Sequence, residues 1–156
     1  MSIARVLGHT LKYANEEEGW IHPLGQAVGG LTAAQAAWKP SPQRHSIWQI
    51  IRHVIHWKQP MVDRWDGKPV RSGDELNASD WQEASGDDAA WQTDVGRLLD
   101  LHQQVRQRVE AADDATLMSP LHGTKQPRAF SIGDMTVHDG YHAGQIRYLR
   151  ALQGLA

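Results

Sequence analysis

Two histidines near the C-terminal end, His138 and His142, lie within the stretch Thr136-Val137-His138-Asp139-Gly140-Tyr141-His142-Ala143-Gly144-Gln145-Ile146. On a helix, this spacing sets two imidazoles one turn apart and side by side, able to bind one metal ion. At about 100° per residue, the apolar face of such a helix is Met135, Ile146, Leu149 and Leu152, and both histidines fall inside that arc. Inward-facing imidazoles need partners for their ring nitrogens, and one cation satisfies both. The pattern therefore predicts a metal site that needs a third ligand from elsewhere in the chain.

Composition narrows the choice. The chain has no cysteine, so disulfides, thiolate ligands and cysteine nucleophiles are excluded and any metal site is built from His and carboxylate. Sixteen Lys and Arg against eighteen Asp and Glu give a net charge of −2 without a basic block, which argues against a nucleic-acid partner. The N-terminus lacks the apolar core of a signal peptide, and no run approaches the ~18 apolar residues of a membrane span, so a cytoplasmic protein without a membrane partner is expected. The 156 residues fit one domain over 1–156. Seven Trp beside a single Phe suggest large rings filling helix interfaces.

The elements that must position the histidines are helical. Residues 2 to 14 form an amphipathic pattern, and Pro23 restarts a second piece that ends at Gly29-Gly30. Thr32 to Gln35 reads as a capping box opening a short turn. A second Ser46/Gln49 box opens a long helix with Ile47, Ile50, Ile51, Val54, Met61 and Trp65 on one face and Pro60 as an expected kink. Residues 66 to 78 read as a long exposed connection, and Ser79-Asp80-Trp81-Gln82 as the cap of a short turn. A third long helix is predicted from about Asp87 to Ala112, with Leu98, Leu99, His102, Val105 and Val109 in its spine. Asp113 to Arg128 reads as another connection, and Ser131 as the opening of a last helix that ends near Gly154. No strand alternation appears, and the pattern predicts an all-α four-helix bundle with long crossing connections.

Helix phase then ranks the remaining histidines. From the stripe of the second long helix, His53 lies about 110° away at the border of the core, and His56 about 170° away toward solvent. His53 is the preferred third ligand. His102, on the core side of the third helix, is its competitor as a hydrogen-bonded buried histidine. His9, His22, His45 and His122 fall near helix ends or in loops, with His22 and His45 as candidates for a pocket rim.

The run Pro42-Gln43-Arg44-His45-Ser46-Ile47-Trp48-Gln49-Ile50-Ile51-Arg52-His53, followed much later by His138-Asp139-Gly140-Tyr141-His142-Ala143-Gly144-Gln145-Ile146, resembles the DinB/YfiT-like superfamily of metalloenzymes. The likeness spans essentially the whole chain, and Trp20, His22 and Pro23 also match the opening of many members. The resemblance implies an up-down-down-up four-helix bundle, often paired as a homodimer. It also implies His53, His138 and His142 as metal ligands. Characterised members include thiol S-transferases and a thiol-dependent maleylpyruvate isomerase.

Three neutral imidazoles leave an open coordination position, the arrangement of catalytic zinc. Water or a low-molecular-weight thiol bound there would lose its proton readily, which allows hydrolysis or thiol transfer to a small-molecule substrate. Zn²⁺ is the default ion, and Ni²⁺, Fe²⁺ and Mn²⁺ are compatible with the same ligands. Candidate catalytic groups are Tyr141, as a phenol donor or a packed ring, Gln145, one turn beyond His142, and Asp139. Asp139 takes the place of Glu in HExxH but is a carbon shorter and on another face, so a supporting or structural carboxylate, or equally a solvated or packing role, fits it better than that of a protease base. Two other readings stand beside thiol transfer: a metal-binding stress protein without turnover, and a metal-dependent hydrolase.

Overall fold

The computed structural model describes residues 1–155, all helix, turn or irregular chain apart from an isolated bridge between Pro120 and Pro127. Four long helices carry the fold: α1 (Ile3–Asn15), α4 (Ile47–Trp65), α6 (Asp88–Ala111) and α8 (Arg128–Leu152). Between them lie the short helices α2 (Leu24–Ala27), α3 (Ala33–Ala37), α5 (Gly73–Ala78) and α7 (Asp114–Met118). Among the described residues, no helix is long and apolar enough to cross a membrane.

Local chemistry sets where the long helices begin. Ser46 Oγ accepts from the Gln49 backbone N–H while Gln49 Oε1 accepts from that of Ser46, both at 3.1 Å, so two otherwise orphaned amides are satisfied and α4 starts at Ile47. Thr32 and Gln35 form the same box ahead of α3, as the sequence predicts. Asp87 caps α6 through the Ala90 N–H. α4 then runs through Pro60 to Trp65.

The connections depart from expectation. Residues 66 to 78 include α5, opened by a Ser72/Glu75 capping box, and 113 to 128 include α7, capped by Asp113. Each is a single short element with one buried apolar anchor, Leu76 or Leu117, too few residues to show periodicity. Ser79 ends α5, so residues 79 to 82 are not a helical turn. α8 opens at Arg128 behind Pro127, ahead of the predicted Ser131, because the fixed φ of proline already suits a helix entrance. Leu99 and Leu152, expected inward, are exposed; Leu98 and Leu101 take the inner face of α6.

α1 and α4 each pack against both α6 and α8. Trp48 and Arg52 meet Asp94 near the start of α6, and Asp66 meets Arg108 near its end, so α4 and α6 run in the same sense. The apolar interior is divided. One cluster surrounds Trp48, Ile51, Trp91, Leu98 and Ile146, with the two indoles edge to face at 5.5 Å. The other surrounds Leu11, Val62, Leu101, Val109 and Ile132. On α1, α4, α6 and α8 respectively, the buried polar residues Asn15, His53 with Lys58, His102, and Asp139 with His142 fall between the two clusters or at their margin. A polar layer thus crosses an otherwise apolar bundle, and this layer carries the site.

Candidate metal centre

His53 comes from the first half of α4, and His138 and His142 from successive turns of α8. His53 Nε2 and His142 Nε2 lie 3.0 Å and 3.1 Å from His138 Nε2. All three potential ligand atoms lie within 4.8 Å of one another, so the group could hold a metal ion. Nitrogens around a tetrahedral zinc at the usual bond length would be spaced about 3.3 Å apart, close to the two spacings that His138 Nε2 makes.

Proton accounting tests the fit. His53 Nδ1 faces both oxygens of Asp80, at 2.8 and 2.9 Å. Burial pushes against ionisation of Asp80, but hydrogen bonds from Trp57, His53 and the Trp81 backbone N–H outweigh it and hold the carboxyl below its ordinary range. An ionised carboxylate only accepts, so the proton of His53 sits on Nδ1 and Nε2 presents a lone pair. His142 Nδ1 donates to Gln145 Oε1 at 2.7 Å, which likewise turns its Nε2 lone pair inward. Two lone pairs therefore converge on the third ring, whose Nε2 carries at most one proton and can serve only one of them at a time. A cation resolves that conflict; hydrogen bonds among three neutral rings do not.

Two of the rings, both on α8, are also kept neutral. Burial, then the neighbouring His138, pushes His142 down to about 4, and burial with His53 alongside lowers His138. Lone pairs are thus available at neutral pH without displacing protons.

The other sequence-derived candidates take defined places. Gln145 orients His142 and donates through Nε2 to Tyr141 Oη at 2.9 Å. Tyr141 is 63% exposed rather than packed at a helix interface. Asp139 points away from the three rings and into the bundle, where Lys58 Nζ at 2.6 Å and Asn15 Nδ2 at 3.1 Å donate to its Oδ2. His56 is outside the cluster, but it is half-buried with Nε2 2.9 Å from the Leu76 carbonyl, because α5 covers the face that a bare loop would have left to solvent. His102 is buried and pairs through Nε2 with Glu16, which also takes Arg106. His22 stands 3.9 Å from Glu18, and His45 stacks on Trp81.

The sequence places Asp80 and Trp81 only in the cap of a short turn and not at the site, so the charge of Asp80 is unexpected there: a site expected to be all neutral has a carboxylate one ring away. Trp81 has φ +55°, the one positive value among described non-glycine residues. A left-handed backbone costs a side-chain-bearing residue roughly 1–2 kcal/mol. Lys58 does have a sequence signal. It continues the stripe Ile51, Val54, Lys58, Val62 on α4, and a lysine at such a position requires a buried carboxylate.

Beside the centre, a pocket of about 740 Å³ reaches from His53 and His138 to Arg64, with Trp57, Met61, Leu121 and Met135 among its apolar walls. No curated protein and no solved structure matches the chain. A family model described as the DinB superfamily matches residues 21–146, from just before α2 through both histidines of α8, and the chain belongs to that superfamily.

Proposed function

We propose that His53, His138 and His142 bind one divalent ion, zinc by default, through their Nε2 atoms, and that the protein uses it to transfer a low-molecular-weight thiol to a small electrophile. The observation that carries this reading is the convergence of two fixed lone pairs on a third ring nitrogen. When bound, such an ion lowers the pKa of a thiol or water at its open position. The chain's own residues do the rest: Asp80 and Gln145 hold His53 and His142 in the metal-binding tautomer, and the pocket beside them offers apolar walls to a substrate.

Thiol transfer is favoured over hydrolysis by what the polar side chains are doing. Asp139 is bound by Lys58 and Asn15, Asp80 by His53 and Trp57, and Gln145 by His142 and Tyr141. Among the described residues, no uncommitted carboxylate stands beside the three rings to act as general base for water, whereas a thiol, far more acidic than water, would give its proton to solvent on binding without one. The same observation supports the second reading, a metal-binding protein without turnover. Metal analysis of freshly purified protein, joined to a screen of small thiols with electrophiles, separates these readings. Metal-dependent thiol consumption supports transfer, bound metal without it supports simple binding, and protein that takes up no divalent metal contradicts both.

A further inference from the structure

Asp80 and Trp81 are adjacent in the chain and grip the same imidazole, one at its edge and the other on its face. The Asp80 carboxylate holds His53 Nδ1, while the Trp81 indole lies against the ring with centroids 4.0 Å apart and planes 10° from parallel. In extended chain, neighbouring side chains point to opposite sides, so two successive residues do not ordinarily address one ring. The left-handed backbone at Trp81 is what brings both to it, closed by the Trp81 N–H donating to Asp80 Oδ1 at 2.8 Å. On its other face the indole carries His45, at 3.8 Å and 17°, so three rings are stacked from the surface inward to the site.

We infer that Trp81 is a positioning residue of the three-His centre: it fixes the plane of His53 and stabilises the positive charge which that ring shares once a cation is bound. The inference rests on the metal-binding reading above. A neutral imidazole gains only dispersion from an indole face. One that donates to a dication becomes electron-poor, and the π face then attracts it electrostatically. Strain in the backbone and gain in the stack are the two sides of one arrangement, since relaxing φ at Trp81 would lift the indole off His53.

The test is titration of metal-free protein with Co²⁺ alone, followed by calorimetry and by tryptophan emission, for wild type, Trp81→Phe and Trp81→Leu. Far-ultraviolet circular dichroism checks folding. Trp81→Leu, which stays apolar but has no π face, is expected to bind cobalt about tenfold more weakly, with Trp81→Phe in between. Wild-type emission should change on metal addition, and Trp81→Phe should lose most of that change although six tryptophans remain from the seven. A residue that merely supports the fold would lower thermal stability of the metal-free protein and leave the affinity order unchanged. Where Trp81→Leu fails to fold, Trp81→Phe carries the comparison through affinity and emission. Equal cobalt affinity in wild type and both variants would overturn the inference while leaving the metal site standing. Wild-type protein that binds no cobalt would overturn the metal-binding reading and this inference with it.

Discussion

Lys58 Nζ donates to Asp139 Oδ2 at 2.6 Å inside the bundle, with the two side chains 1% and 0% exposed. The pair joins α4 to α8 at the residue that follows His138, and Asn15 extends the tie to α1. It therefore sets the rotation of α8 that aims His138 and His142 at His53. Removing one partner leaves an uncompensated buried charge, so Lys58→Met or Asp139→Leu alone should cost roughly 3–5 kcal/mol in urea denaturation. The double variant should cost much less than the sum of the two. Additive losses would show that the two charges do not depend on each other.

Asp80→Asn should weaken metal binding by about 10- to 100-fold, because an amide can face His53 Nδ1 with either oxygen or nitrogen and no longer fixes the tautomer. His56→Ala should leave affinity nearly unchanged, since that ring bonds the Leu76 carbonyl instead. Calorimetric titration with zinc measures both, and equal losses in the two variants would mean that the cluster has been assigned to the wrong face of α4.

Acid should destabilise the metal-free protein before carboxylates titrate. His142 is held near 4 by burial and His138 is lowered from its ordinary value of 6.5, so between about 4 and 6.5 the unfolded chain binds protons that the folded one refuses. Stability must therefore fall as pH drops through that window. Thermal melting in chelator should show Tm declining from pH 7 to 5, with a shallower decline in His142→Gln. An unchanged slope in that variant would remove His142 as a cause.

Trp20, Ile21 and Val137 are exposed around a groove of about 930 Å³ between α1 and α8, an apolar face for a second copy to cover. We expect a homodimer that covers it, with the Trp20→Lys variant monomeric. Light scattering that shows wild-type monomer at micromolar concentration would contradict this.

What was legible in the sequence was whatever repeats along a helix. The capping boxes at Thr32 and Ser46, the phase that brings His53 to the core border, and the His138/His142 pair all depend on residues within a turn or two of one another. The resemblance to a known family independently pointed to the same three histidines. The roles of Asp80 and Trp81 at the site are not legible because both residues sit in irregular chain after α5 and are tied to His53 across a sequence gap that no period spans. α5 and α7 were lost for a related reason: one anchor leucine each makes no pattern. The inward turn of Asp139 could have been read from Lys58, since a charge on an apolar stripe predicts its counter-charge. The sequence leaves Asp139 between supporting the ligands and a structural or packing role, and the buried pair with Lys58 is the structural one.

The most direct measurement is anomalous diffraction at the zinc edge from crystals of the zinc-loaded protein. The account predicts a single peak per chain, about 2.0–2.1 Å from Nε2 of each of His53, His138 and His142, with His53 Nδ1 still on Asp80. A peak at other residues, or zinc-soaked crystals with no density between the three rings, would contradict it.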